Sequence, residues 1–453
     1  MSDFIKAPVI LLGYLVFAPL LGFFIKGSQA GRRLVFSLMV FITSWHINKF
    51  TLMLNSVETY RGHTKGFEFS LIEILALALI TASVLSRRQA GRDWRWLPPG
   101  AGLYLLYCGA SWLSILAAPE PLYTVMAGVR FTKVLVIFVA AFHFIRGERD
   151  LVTLLKAMVF TLVVQMLVVL KMKYVDGFYQ IHGWFEHQNP LAMWAYLCGL
   201  PLLAAAMSDV PVVDTRWYAA GFAASAVIVQ SALSRAALLA FAVGVVLVVG
   251  LALLDKVTVK RVVFITGLGL VGMLGMLLAM NTILARFHDE GNEASGETRT
   301  VMNLASRAML ESSRVGIGWN NFGFTINPPY PYGDVIDDAE RAHGHRVDEN
   351  YAKGIVESHY WLLLAETGYG GFATYLLFIA VTLIWCGRGL WHWRGRFTGA
   401  FMGGLGVALG LVYLHSNLER TLTQTKNMSM WLILLGAAAA VEWRRRSGAG
   451  GRL

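Results

Sequence analysis

Residues 7–25 read APVILLGYLVFAPLLGFFI, and residues 236–254 read AALLAFAVGVVLVVGLALL. Neither stretch contains a charged side chain. Runs of about 18 or more apolar residues, coiled as helices, cross the roughly 30 Å of hydrocarbon in a bilayer. These two runs decide the fold class: the chain is expected to be an all-α polytopic membrane protein. Composition agrees. Of 453 residues, 56% are hydrophobic and only 15% charged, whereas soluble domains carry roughly 25% charged residues. Mean hydropathy is +0.55. The first run has little basic charge before it and no clear small-residue cleavage site after it, so it reads as a retained span rather than a signal peptide.

Working outward, the expected spans are 7–25, 34–54, 69–86, 97–117, 122–144, 151–172, 190–207, 216–233, 236–254, 261–281, 358–385, 398–415 and 428–441. That is about 12–13 transmembrane helices. Every second connection is basic: Lys26, Arg32 and Arg33; Arg87, Arg88, Arg92 and Arg95; Arg146 and Arg149; Lys256, Lys260 and Arg261; Arg388, Arg394 and Arg396; Arg444, Arg445 and Arg446. The positive-inside rule puts this set in the cytoplasm. The formal net charge of +11 is thus explained by topology, and no nucleic-acid partner is expected. Cys108, Cys198 and Cys386 fall in or beside apolar runs, with no spacing that suggests a metal site or a disulfide framework.

Residues 282–357 form one long hydrophilic connection, between N-terminal spans (1–281) and C-terminal spans (358–453). It falls on the external side. Within it, Glu297 to Ser313 is amphipathic, with Val301, Leu304, Ala305, Ala308 and Met309 at helical spacing. A helix across the outer mouth of the bundle is expected, because a long structured loop between rigid elements usually serves function.

Ionisable residues inside spans are functional candidates, since lipid makes them costly. Here they sit towards the external ends: His46 and Lys49, Glu73, Arg130 and Lys133 on one helix face, Arg235 at a turn, and His359 with Glu366 two helical turns apart. A transporter should instead place such groups near the midplane. A basic cavity open to the outer leaflet suits an anion at the membrane surface, and a lipid-linked diphosphate fits, because arginine pairs bidentately with phosphate oxygens. The competing reading has Arg130 and Lys133 simply neutralising Glu73 or Glu366 between helices. His46 reads first as a packed interhelical hydrogen bonder. His182, His187, His343, His345 and His415 read as solvated. His343 and His345 with Asp337 and Asp338 fit no strong ligand pattern, so no metal or other cofactor is expected. The aromatic segment Tyr174 to Trp184 reads as an interfacial belt, with sugar stacking as a second use.

Four segments, in order, resemble the bacterial O-antigen ligase and Wzy-type polymerase superfamily: GWFEHQNPLAMWAYLCGLP (183–201), SALSRAAL (231–238), SRAMLESSRVGIGWNNF (306–322) and HYWLLLAETGYGG (359–371). The resemblance covers about residues 180–375; the first five spans match only in general character. It implies a GT-C-like membrane glycosyltransferase in the bacterial inner membrane, with its active site facing the periplasm. Such an enzyme takes a glycan from an undecaprenyl-diphosphate carrier and joins it to an acceptor hydroxyl. The acceptor is lipid A core in ligases, a carrier-linked repeat unit in polymerases and a protein Ser or Thr in other relatives. Carried over by motif, Arg235 and Arg307 would hold the diphosphate, with Arg314 as an alternative; Arg130 and Lys133, outside the resemblance, are diphosphate-binding candidates by their place in a span. His359 would orient or deprotonate the acceptor hydroxyl. Asn189, Glu357 and Glu366 would support them. Two departures stand out: Tyr360 replaces the usual Asn after the histidine, and aligning on Glu366 puts Glu357 at the histidine position, which makes Glu357 the fallback base. A ligase is the first expectation and a polymerase the second. A transporter or flippase of lipid-linked glycan is the reading from another class.

Overall fold

The computed structural model describes residues 3–45, 51–87, 95–208, 215–287, 291–342 and 353–448. His46, Lys49, His343 and His345 lie outside these residues. The chain starts with α1 (Asp3–Leu12), which continues through a π-helical turn (Gly13–Phe17) into α2 (Ala18–Ile25), followed by α3 (Gln29–Ile42). Strands β1 (Thr51–Leu54) and β2 (Phe67–Ser70) pair antiparallel, Thr51 opposite Ser70, and lead into α4 (Leu71–Leu85). Then come α5 (Ala101–Trp112), α6 (Pro121–Lys133), α7 (Leu135–Phe144), α8 (Glu148–Tyr174), α9 (Gln188–Ala206), α10 (Thr215–Ala232), α11 (Arg235–Asp255) and α12 (Val259–Phe287). The hydrophilic connection carries α13 (Gly291–Ser312), α14 (Phe322–Thr325) and α15 (Asp334–Ala342). The chain closes with α16 (His359–His392), α17 (Phe397–His415) and α18 (Thr425–Arg446).

Seven helical stretches among the described residues are long and apolar enough to cross a membrane: Phe4–Ile25, Pro121–Phe144, Glu148–Tyr174, Gln188–Ala206, Arg235–Asp255, His359–His392 and Phe397–His415. Many of their large apolar side chains face outwards, Leu15, Leu239 and Val246 among them. A surface like this belongs in lipid rather than water. The protein is a polytopic α-helical membrane protein. A helix underlies each remaining expected span, with one correction. The stretch 34–54 is not a single span: α3 stops at Ile42, and Thr51–Leu54 pairs as a strand with Phe67–Ser70. The apolar patches on either side of His46, Asn48 and Lys49 belong to different elements.

The connections sort onto two ends. At the basic end, Arg33 lies 4.0 Å from Asp150, Thr398 Oγ1 donates to Glu148 at 3.0 Å, and the Arg394 guanidinium reaches Asp255 at 3.3 Å. At the other end, Lys6 donates to the Met53 carbonyl at 3.1 Å, so α1 starts beside the β-hairpin. Helix α9 runs through the middle, buried from Pro190 to Ala206. Small residues let the helices close on it. A Cβ on Gly404 of α17 would stand 2.6 Å from the Ala204 side chain and 3.0 Å from the Leu200 carbonyl. This is how helices pack where lipid removes any hydrophobic drive between them.

Two local features shape the second end. Ser70 and Glu73 form a capping box that starts α4. Tyr14 and Lys133 also donate to Glu73, so this buried carboxylate is neutralised within the bundle. Helix α13 is amphipathic as expected, but its inner face is Met302, Ala305, Ser306, Met309 and Leu310, while Leu304 is half exposed. That face packs with Ile317, Phe322, Leu362 and Ala365 into a satellite core over the start of α16.

Candidate active site

The site end is built where the segment after α13 crosses α16. Ile317 N–H donates to the Ala365 carbonyl at 2.9 Å, Gly318 N–H to the Glu366 carbonyl at 3.1 Å, and Tyr369 N–H to the Arg314 carbonyl at 3.1 Å. Helix α16 can accept and donate in this way because it breaks at Gly368, whose φ of 64° and ψ of −167° are not helical. The piece His359–Thr367 is therefore a separate short helix held at the bundle's end.

The paired asparagines of this segment are clamps. Asn320 Nδ2 donates to the Thr64 carbonyl at 2.8 Å, and its Oδ1 accepts from Thr64 N–H at 3.1 Å. Asn321 Oδ1 accepts from Glu120 N–H at 3.0 Å, and its Nδ2 donates to Thr124 Oγ1 at 3.0 Å. One dipeptide thus ties the long connection to the hairpin loop and to the start of α6.

Glu366 is buried. One of its oxygens faces His63 Nε2 at 3.0 Å, and the other accepts from Phe322 N–H at 3.2 Å. Arg130 is also buried and spends its fork on structure: it donates to the His63 carbonyl (2.6 Å), Thr64 Oγ1 (3.0 Å), the Thr423 carbonyl (2.8 Å) and Thr425 Oγ1 (3.1 Å), with Glu68 3.6 Å away. It staples the hairpin loop to the α17–α18 connection. Lys133 is tied to Glu73. These contacts favour the interhelical reading of Arg130 and Lys133, with Glu68 and Glu73 as partners, and leave neither cation open to a diphosphate.

Asn189, at the start of α9, donates to Glu419 at 2.7 Å. The same carboxylate lies 3.7 Å from His415, whose other ring nitrogen is 3.0 Å from the Tyr196 hydroxyl. His415 is thus buried rather than solvated. His359 is enclosed as well: its N–H is fixed to the Ser416 carbonyl at 2.9 Å, its ring stands edge-on to Tyr375 with centroids 5.1 Å apart, and neither ring nitrogen has a hydrogen-bond partner among the described residues. Glu357 is open instead, 55% exposed and paired with Arg299 of α13 at 2.6 Å.

The arginines expected to hold a diphosphate separate. Arg307 is exposed and paired along its own helix with Glu311 at 2.8 Å. Arg314 is exposed and engages α16 through its backbone. Arg235 is half-buried at the first residue of α11, and its guanidinium makes no hydrogen bond or ion pair among the described residues. Its level in the bundle follows from Gly244, which meets Leu200 and Leu411. Nine residues of helix lift Arg235 about 13 Å above that contact, and eleven lift Asn189 about 16 Å above it. Arg235 therefore reaches the height of the Asn189–Glu419 pair.

Arg420 was not legible as a site residue. It is half-buried in the α17–α18 connection, and its guanidinium again makes no hydrogen bond or ion pair among the described residues. Burial lowers its guanidinium from the usual value, while Glu357, Glu366 and Glu186 pull it back. That electrostatic neighbourhood places Arg420 among the carboxylates of the site. His63, Arg299, Glu419 and Glu68 were missed too. The only signal for His63 was the density of polar groups in Arg61–Lys65, and for Arg420 the charged pair Glu419–Arg420 between two apolar runs.

This end of the bundle therefore carries two guanidiniums without a hydrogen bond or ion pair among the described residues, one exposed carboxylate paired with Arg299 and one enclosed imidazole, beside a frame of satisfied polar contacts. Such a set can hold a phosphate-bearing anion and accept a proton from a hydroxyl brought to Glu357. No protein-family model matches the chain, and no curated protein matches it either.

Proposed function

We propose that this protein is a membrane glycosyltransferase of GT-C-like organisation that moves a glycan from undecaprenyl diphosphate to an acceptor hydroxyl at the outer face of a bacterial inner membrane. Its first assignment is an O-antigen ligase that joins O-antigen to lipid A core. The observation that carries the reading is Arg235 and Arg420: two half-buried guanidiniums at the loop-bearing end that make no hydrogen bond or ion pair among the described residues, Arg420 with Glu357, Glu366 and Glu186 in its electrostatic neighbourhood. Arg130 and Lys133 at that end are already neutralised. Half-buried guanidiniums without an acceptor among the described residues favour an anion from outside the protein. The one-sided placement of the site also favours transfer at a surface over alternating access.

In this reading Arg235 and Arg420 bind the diphosphate and stabilise its charge as it leaves. The acceptor oxygen attacks the anomeric carbon, the carbon–oxygen bond to the diphosphate breaks, and polyprenyl diphosphate departs. The acceptor proton passes to the Glu357 carboxylate, because a base has to reach the hydroxyl and His359 is closed in by Tyr375 and the α17 terminus. Attack opposite the leaving group inverts the anomeric centre.

The test is transfer in proteoliposomes from an undecaprenyl-diphosphate oligosaccharide to lipid A core. Glu357→Gln and Arg420→Gln, each inserted and folded as wild type, are expected to lower the rate at least about 100-fold, the usual weight of a positioned base or charge donor. Wild-type rates in both variants would end the proposal. Glycans of a deletion strain separate the acceptors: unattached long chains mark a ligase, and single-repeat products mark a polymerase.

A further inference from the structure

The basic end carries a second feature unrelated to transfer chemistry. A cavity of about 280 Å³ opens there between α9, α11 and α17, and its polar rim is Lys256, Arg261, Arg394 and Arg396 against the single carboxylate Asp255. A second cavity of about 350 Å³ adjoins it, running between α11 and α16 over α17. The two share Leu251, Leu390 and Gly403, so they form one groove, charged at one end and apolar along the rest.

The groove exists because α17 is glycine-rich where α11 and α16 flank it. A Cβ at Gly410 or Gly387 would meet nothing within 4 Å. In a bilayer such a groove is filled, since an empty one forfeits the dispersion contacts of its walls. Lipid chains are the filling at hand. The charged end selects among lipids. Asp255 is shared by Arg261, at 3.2 Å, and Arg394, at 3.3 Å. Arg261 also turns onto the Met207, Ala252 and Lys256 carbonyls. Lys256 and Arg396 are exposed and make no ion pair among the described residues. Helix α17 starts at this rim, and its Gly399 lines the cavity. The first amides of a helix lack intrahelical acceptors and favour an anion.

We propose that this groove is a binding site for an anionic glycerophospholipid, with the headgroup phosphate at Lys256, Arg396 and the α17 N-terminus and one acyl chain along Gly387, Gly403 and Gly410. Basic residues placed this way are worth about fivefold each in affinity for an anionic headgroup. The full-length protein is exchanged into mixed phosphatidylglycerol–phosphatidylcholine micelles and analysed by native mass spectrometry. One phosphatidylglycerol is expected to stay bound in preference to phosphatidylcholine. Lys256→Ala with Arg396→Ala should cut that preference about 25-fold. Gly410→Leu and Gly387→Leu should remove the bound lipid of either type while melting temperature in phosphatidylcholine stays that of wild type. Equal retention of the two lipids by wild type would overturn the proposal. So would unchanged retention in both leucine variants, or displacement of phosphatidylglycerol by an equimolar polyprenyl phosphate. The exposed Lys256 and Arg396 keep the test valid should a leucine variant fail to fold.

Discussion

Gly368→Ala is the substitution that bears hardest on how the site is assembled. The glycine's φ of 64° and ψ of −167° lie in a region open to glycine alone, where another residue costs of order 1–3 kcal/mol. Its new Cβ would overlap the Arg314 carbonyl oxygen and stand 2.5 Å from the Val315 carbonyl carbon and 2.7 Å from Gly316 N. All three are backbone atoms of the crossing segment and cannot swing aside. Relief requires the segment to lift off α16, which breaks the bonds from Ile317 to Ala365, from Gly318 to Glu366 and from Tyr369 to Arg314. At about 1 kcal/mol for each of three hydrogen bonds, the total reaches about 4–6 kcal/mol with the strain included. Gly370, two residues on, is the control. Its Cβ would come no closer than 4.0 Å to Ala110, and alanine there should stabilise the helix by up to about 1 kcal/mol. Hydrogen exchange read at the Ile317 and Gly318 amides reports the crossing directly, and thermal unfolding in detergent reports the whole bundle. Gly368→Ala should deprotect both amides and Gly370→Ala neither. Unchanged protection in Gly368→Ala would refute the idea that this close backbone crossing holds the site together.

Other variants test the frame and the chemistry separately. Removing one partner of the buried His63–Glu366 pair should cost about 3–5 kcal/mol; in a thermal-unfolding double-mutant cycle, His63→Ala with Glu366→Ala should cost clearly less than the sum of the single changes. Arg130→Lys keeps the charge but cannot span Thr64, Thr423 and Thr425. A loss of about 2–4 kcal/mol is expected, since hydrogen bonds to charged groups are worth about 1.5–3 kcal/mol each, whereas Arg307→Ala, exposed beside Glu311, should change the melting point little. Arg235→Gln should raise the KM for lipid-linked donor without lowering stability, because it has no partner among the described residues to lose; a melting shift of the size seen for Arg130→Lys would assign it to the frame instead.

The spans were legible because lipid imposes one simple rule on long apolar runs. Basic loops were legible because they are short and alternate, and the ion pairs at that end join the loops that the alternation groups together. The break in α16 was not. The dihedral at Gly368 depends on a segment some fifty residues earlier. Separation in sequence also hid His63. Its partner is Glu366, 303 positions away, and the polar run Arg61–Lys65 around it reads equally well as a solvated loop. Helical spacing put His359 and Glu366 on one face, and both are buried there. Spacing could not say that the ring would be enclosed while Glu357, outside the helix, stays open.

The arginines carry the argument one step further. In a bilayer protein every buried guanidinium needs partners, so sequence position alone makes all of them look alike as ligand groups. Partner accounting separates them. Arg130 has four oxygen acceptors beside Glu68, and Arg261 has three carbonyls beside Asp255; both are structural cations at opposite ends of the bundle. Arg235 and Arg420 have no such set among the described residues, yet both are withdrawn from full exposure. A half-buried arginine that the fold does not satisfy is stable only where water or a ligand completes it. The protein spends its internal acceptors on the frame, and the two half-buried arginines left without such a set lie on the side that carries the long connection.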